Sequence, residues 1–436
     1  MARLVKYSPW QLIGLLGTPL GRQQIVTGLR YRAWPAYAAA ARVHRARLPA
    51  SVRVVAVVGT FGKTTTSRAV RAALGLDPAA HVSSNSWANI ARRVLAVRSG
   101  DADAVIEVGI ARPGEMVRYA RVVRPDVTVV TSIGSEHRRS LHTLERTRDE
   151  KAHMVRVLAP EGLAVLNGDD PNVVWMRGET RARVVTFGFG PANDVVGTDL
   201  RLDWPRGIEL TITARGESAR VAVPLFGEKM AYPLLAAAAV ALDGGRPLAD
   251  ATRDLACVTP APGRMETIAL PDDVWLLRDE YKSGQETYVA ALDAFAEIPA
   301  RRRIAVVGDI AEPPSPQRPA YRAIGARLAQ SAQRVIVVGQ MFQPIAAGAC
   351  AAGMSREHLF DAGRDVHRAI ALLRGMLEPG DVVLVKGRDT QHLERLWLAL
   401  AGRTVGCRLV ACDSRPRCEQ CPMLERGWPD GRRVPS

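Results

Sequence analysis

Residues 54–70 read VVAVVGTFGKTTTSRAV, and no other stretch limits the possible folds so tightly. An apolar, β-branched run leads into a glycine-bearing turn and then into a helical pattern. Gly59 and Gly62 let backbone N–H groups converge on an anion with no Cβ in the way, and the following helix directs its positive N-terminal end at the same point. Lys63 is placed to reach the β- and γ-phosphates of a nucleotide, and the Thr64 hydroxyl to complete a Mg²⁺ shell. The general pattern G-x-x-x-x-G-K-[ST] has glycine where this chain has Val57, so the tight turn begins later, at Gly59. Gly59, Thr60, Gly62, Lys63, Thr64 and Thr65 are therefore the expected phosphate cradle.

Lysine usage sharpens this expectation. The 59 basic residues include six lysines: Lys6, Lys63, Lys151, Lys229, Lys282 and Lys386. The rest are arginine, so basic surface positions have defaulted to Arg. A lysine that persists marks a site needing a compact point charge or an amine that can be deprotonated and modified, which a guanidinium does not supply.

At 436 residues and 47% hydrophobic content the chain can bury a large core in two or three domains, and it is neither fibrous nor disordered in composition. No apolar run approaches the roughly 18 residues of a membrane span. Six cysteines in such a length do not form a secreted disulfide framework, and a cytoplasmic location is expected. The net charge of +15 suits nucleic acid, an anionic membrane surface or acidic substrates. The excess is dispersed, however, which reads as an arginine-rich solvated surface, and nucleic acid is not the expected partner.

From residue 53 onward, strands alternate with helices: 53–59, 104–110, 127–133, 163–167 and 182–189, then an antiparallel-looking region over 195–225 and an Ala-rich helix at 234–242. After a Pro260, Pro262, Gly263 cluster a second series follows at 274–279, 303–307, 334–338 and 381–386. This predicts an α/β protein: a P-loop central domain on a parallel sheet, and a smaller, doubly wound, Rossmann-like C-terminal domain. The expected divisions are a basic helical lead (1–50), whose aromatics pack on the next domain, a central domain (51–250), a C-terminal domain (251–403) and a basic, cysteine-bearing tail (404–436).

Chemistry-bearing residues fall near strand ends, where ligands collect in open α/β sheets. Glu107 lies in the apolar strand VIEVG, and a buried carboxylate needs a partner or a metal. His137 follows the turn SIGSE, Lys151 comes 14 residues later, and LNGDDP closes another strand at 166–171. In this order, G-T-x-G-K-T-T, E-x-G, T-x-I-G-x-x-H, the lysine and N-x-D-D resemble the Mur ligases, ATP-dependent ligases of carboxylates and amines. Further matches are GRME at 263–266, DEY at 279–281, VGD at 307–309 and LVKG at 384–387. The nearest resemblance is to the branch that attaches D-alanyl-D-alanine.

The resemblance implies an ATP-dependent amide ligase that works through an acyl phosphate and releases ADP and phosphate. Its partners would be ATP, a small-molecule or peptide carboxylate, and an amino-acid or dipeptide amine. Thr64 and Glu107 would hold Mg²⁺, His137 a second Mg²⁺, and Lys151 would match the family's carbamylated lysine. Arg264 would reach the phosphates and Asp279 the nucleotide sugar. Two rivals remain open: a scaffold that keeps the fold without turnover, and a nucleic-acid-dependent ATPase.

The chain also departs from the family. GEKMAYP at 227–233 replaces G-x-H-N-x-x-N, and YKSGQ at 281–285 stands where Y-N-A-N-P is usual. About 50 residues precede the phosphate loop, fewer than the family's UDP-substrate domain needs, so an acceptor other than the standard UDP-muramoyl peptide, or one held by another protein, is expected. Finally, Cys407, Cys412, Cys418 and Cys421 offer a Zn²⁺ or iron–sulfur site in the tail, with buried free thiols as the alternative.

Overall fold

The computed structural model describes residues 16, 19–80, 85–136, 138–410, 412 and 417–427. The chain forms two compact units that divide between Thr259 and Pro260. Among the described residues, Arg30 to Thr259 make up one, and the other takes in those from Pro260 onward together with those before Arg30.

The first unit is built on an eight-stranded sheet. Its strands are β1 (Arg53–Val58), β2 (Asp103–Glu107), β3 (Val127–Val130), β4 (Leu163–Asn167), β5 (Arg183–Gly188), β6 (Val195–Asp203), β7 (Gly207–Ala214) and β8 (Glu217–Val223), in the order β2-β1-β3-β4-β5-β6-β7-β8. Pairing is parallel from β2 through β6 and antiparallel across β6, β7 and β8. Successive side chains of a strand face opposite ways, and β1 shows what that demands here. Val55 and Val57 join one buried cluster, while Val54, Ala56 and Val58 join the other. Both faces of the strand need cover, so its sequence is apolar without interruption.

Five helices provide most of that cover: α2 (Trp34–Arg47), α3 (Lys63–Ala73), α4 (Ala88–Ala96), α5 (Glu115–Val123) and α6 (Leu144–Arg156). They are joined by α7 (Tyr232–Asp243) and α8 (Leu248–Leu255); α1 (Pro19–Arg32) comes first in the chain. The run Leu234–Leu242 within α7 is apolar on every side and buried throughout, as expected of a helix sandwiched within a core. On the opposite face, Trp34 and Ala41 of α2 lie in the same cluster as Ile90, Met116 and Tyr119. Arg45 of α2 donates to the carbonyls of Val123 and Arg124 and to Asp126, and His44 is bonded to the Val97 carbonyl. The stretch read as a lead thus divides, with residues 34–47 forming part of the first unit's core.

The second unit carries a six-stranded sheet, ordered β13-β12-β11-β14-β10-β9, of β9 (Glu266–Leu270), β10 (Val274–Asp279), β11 (Arg302–Val307), β12 (Arg334–Val337), β13 (Leu359–Asp361) and β14 (Asp381–Lys386). Only β9 runs antiparallel to its neighbour. The helices here are α9 (Gln285–Ala296), α10 (Gln317–Ser331), α11 (Phe342–Ala351), α12 (Val366–Arg374) and α13 (Glu394–Leu400). Two of the strands, β9 and β13, are absent from the sequence expectation. Both lie at sheet edges, one half-buried along its length and one only three residues long, so neither leaves a buried apolar run to read. Among the described residues, no helix is long and apolar enough to cross a membrane.

Candidate active site

The turn after β1 is stitched to the turn after β3. The Thr60 N–H donates to the Ser132 carbonyl (2.7 Å), the Gly134 N–H donates to the Thr60 hydroxyl (2.9 Å), and the Thr131 hydroxyl donates to the Phe61 carbonyl (2.5 Å). Gly59 makes this approach possible: at φ +141° it has no room for a side chain, because a Cβ would lie 2.0 Å from the Thr131 hydroxyl. Gly62, left-handed at φ +79°, caps the N-terminus of α3. The first-turn N–H groups and positive end of an eleven-residue helix therefore gather at this turn.

Two ammonium groups meet at the same place. Lys63, 9% exposed, donates to the carbonyls of Gly59 (3.0 Å) and Thr60 (2.8 Å). Lys151, 3% exposed on α6, donates to the Gly59 carbonyl as well, at 2.6 Å. On the neighbouring strand, Glu107 sits in register with Val57, 2% exposed, and accepts a bond from the Asn85 amide (2.6 Å). The Thr64 hydroxyl is buried in the first turn of α3. Concentrated positive charge beside a buried carboxylate and hydroxyl fits a triphosphate with a hard, oxygen-seeking cation such as Mg²⁺. His137 lies outside the described residues.

The N-x-D-D segment after β4 supports the neighbouring turn. Asn167 donates its amide to the Thr131 carbonyl (2.9 Å), and Asp170 accepts from the Ile133 N–H (2.8 Å). Asp169 gathers the N–H groups of Phe189 and Gly190, the Asn193 amide and the Tyr232 hydroxyl. Burial works to raise the Asp169 carboxyl, but these donors outweigh it and hold the group below its ordinary value. Asn85, Asn167 and Asp170 were not singled out as site residues by the sequence. For the last two the signal was present in the motif; Asn85 has none.

In the second unit, Arg264 lies over the Tyr281 ring at 4.6 Å. Asp279 accepts from the Met265 N–H (3.2 Å) and pairs with Lys386 at 2.5 Å. Lys386 has no exposed surface and also donates to the Lys282 carbonyl (2.6 Å). Burial pushes the Asp279 carboxyl up and the Lys386 amine down, against the attraction between them.

The tail packs onto this unit through an ion network. Arg278 meets Glu266, Glu280 and Glu419, and Arg417 meets Glu280 (2.7 Å) and the Pro262 carbonyl (2.6 Å). Among the described residues, the one group of potential metal ligands drawn within 4.8 Å of one another is His392, Glu394 and Cys418, not the four cysteines.

Comparison with known proteins agrees with this architecture. Residues 57–241 match the Mur ligase middle domain, and residues 263–388 match the Mur ligase glutamate ligase domain. The UDP-N-acetylmuramoyl-tripeptide–D-alanyl-D-alanine ligase of Mycobacterium tuberculosis is 30% identical over 362 residues, covering 78% of this chain and 71% of the relative. The enzyme of that name from Escherichia coli is 28% identical, covering 82% and 78%. Among solved structures, MurF from Acinetobacter baumannii superposes with a TM-score of 0.75 at 22% identity, covering 85% of this chain and 81% of that one. MurF from Thermotoga maritima, solved with ADP, gives 0.72 at 23%, covering 85% and 83%. The chain belongs to the Mur ligase family, ATP-dependent ligases that join a carboxylate to an amine.

Proposed function

We propose that this protein works in the cytoplasm and joins a peptide carboxylate to the amine of a D-alanyl-D-alanine-type dipeptide, the second part being what the names of its relatives suggest for them. The observation that carries the reading is the convergence of Lys63 and Lys151 on the Gly59 carbonyl at the N-terminus of α3. Residues 51–250 then act as the ATP-binding domain and 251–403 as the domain that completes the ligase.

The assignment of roles follows from charge. A carboxylate attacking a γ-phosphate must approach an anion, and the backbone N–H groups at 59–64 and the Lys63 ammonium reduce that repulsion. Lys63 would exchange its two carbonyl acceptors for β- and γ-phosphate oxygens. Thr64, Glu107, His137 and a carbamate on Lys151 would hold Mg²⁺, which when bound neutralises phosphate charge and orients it for in-line attack. The carbamate forms when the neutral amine of Lys151 adds CO₂ and loses a proton, turning a donor into an oxygen ligand. Asn85 keeps Glu107 oriented. The amine then attacks the acyl phosphate and phosphate leaves. Arg264 and Asp279 keep their assignments to phosphate and nucleotide sugar within this proposal.

ADP release tests the reading. D-alanyl-D-alanine, ATP and Mg²⁺ are supplied with a tripeptide acid, either carried on UDP-muramic acid or without the nucleotide. ADP should form only when acid and amine are both present, and Lys63→Ala should lower kcat by about 10²–10³-fold. Turnover that ignores the dipeptide, or that survives Lys63→Ala, removes the reading. The two acids separate a standard acceptor from an unusual one.

A further inference from the structure

The tail cysteines form two short spans, C-x₄-C at 407–412 and C-x₂-C at 418–421, and the fold sets them against each other. The Gly406 and Cys407 N–H groups both donate to the Leu424 carbonyl (2.8 and 2.9 Å), while bonds from Cys421 to Cys418 and from Leu424 to Cys421 close the second turn. Gly406 is required for this approach, since a Cβ there would lie 2.0 Å from the Glu425 carbonyl oxygen. Cys407 and Cys418 are buried, and Cys412 and Cys421 are half-buried.

Arg395 points into this cluster. Only 2% exposed, it donates through Nε to Cys418 Sγ (3.2 Å) and through Nη2 to Cys407 Sγ (3.3 Å), with Nη1 bonded to the Leu409 carbonyl (2.7 Å). A buried guanidinium requires compensating negative charge. The adjacent carboxylate, Glu394, is committed to His392 Nδ1 (2.8 Å) and the Cys418 N–H (3.1 Å). Neutral thiols add no negative charge beside the Arg395 guanidinium; metal-bound thiolates do. N–H···S bonds to ligating sulfurs are the outer-shell pattern that stabilises such a centre.

We propose that Cys407, Cys412, Cys418 and Cys421 bind one Zn²⁺ as a tetrathiolate site. Both spacings fall within the C-x₂₋₄-C range of structural zinc sites and differ from the usual iron–sulfur runs. Binding exchanges four S–H protons for one dication, with no change of oxidation state, and leaves a net charge of −2 beside Arg395. His392 is not a ligand in this arrangement, because both ring nitrogens are engaged, Nδ1 with Glu394 and Nε2 with the Cys412 carbonyl (2.8 Å). The site fixes the segment that carries Arg417, and so secures the contacts of Arg417 with Pro262 and Glu280.

The test is metal analysis of the intact, full-length protein. The expected result is about one zinc per chain, released when the thiols are alkylated. Replacement by Co²⁺ should give the strong visible bands of a tetrahedral thiolate site. Cys412→Ser and Cys421→Ser should each lose most of the zinc, whereas Cys257→Ser and Cys350→Ser, at isolated exposed positions, should keep it. Folded wild-type protein that takes up neither Zn²⁺ nor Co²⁺ overturns the proposal, as does protein that carries iron with labile sulfide. The Co²⁺ spectrum is read on the wild type, so a serine variant that fails to fold leaves the question decidable. None of these readouts depends on ligase turnover, so a failed zinc site and a failed ligase reading give different results.

Discussion

Lys386 is fully buried with its ammonium on Asp279, a partner brought beside it by the register between β10 and β14. Removing one member of such a pair leaves an uncompensated charge in the core, so Lys386→Met should cost about 3–5 kcal/mol of stability. Lys386→Met with Asp279→Leu should recover much of that loss, because the double change removes the charge as well as its partner. Urea unfolding of the two variants measures both quantities, and equal destabilisation would show that packing alone matters at this position. Arginine bias had marked this residue in the sequence. Of the lysines the chain retains, Lys63, Lys151 and Lys386 prove buried, while Lys229 keeps a side chain 65% exposed. Composition could single out the lysine but not its partner. Asp279 reads in the sequence as a sugar contact, and its pairing depends on strand register that no local pattern encodes.

At the level of elements, the parallel strands were legible because burial on both faces demands continuous β-branched runs, whereas helix α2 was legible only as part of a helical lead whose aromatics pack on the next domain. Its sequence, WPAYAAAARVHRAR, is basic and alanine-rich, and nothing in it marks residues 34–47 as part of the first unit's core. Beside the bonds made by His44 and Arg45, the Trp34 ring stands edge-on to Trp87 and to Tyr119, with centroids 5.6 Å apart in both cases. Trp87 and Tyr119 pair with each other at 5.9 Å, which closes a three-ring cluster joining α2 to the start of α4 and to α5. Trp34→Ala should therefore destabilise the first unit by about 3–5 kcal/mol, in the range of large aromatic truncations in cores. Val43→Ala, on the exposed side of the same helix, should change stability by less than about 0.5 kcal/mol. If both variants unfold like the parent, α2 is a surface attachment and the aromatic cluster contributes nothing.

Across the whole molecule, the +15 charge is dispersed along the sequence, and arginines are spent inside the fold. Arg53 ties Asp103 to Asp243 in the first unit, and Arg302 binds Glu378 and Asp381 in the second. Each unit holds its own sheet and its own ion network, so each should respond to its own ligand. Calorimetry on the full chain is expected to resolve two transitions. A non-hydrolysable ATP analogue with Mg²⁺, at about 100 times its Kd, should stabilise the unit containing the phosphate loop by about 2.7 kcal/mol. For a unit of this size that raises its midpoint by about 5–10 °C. Lys63→Ala should abolish the shift. A zinc-selective chelator should lower only the other transition, since the tail thiols belong to the second unit. A single transition that moves with nucleotide and chelator alike would instead mean that the two units unfold as one, and that the tail and the phosphate loop share a common stability.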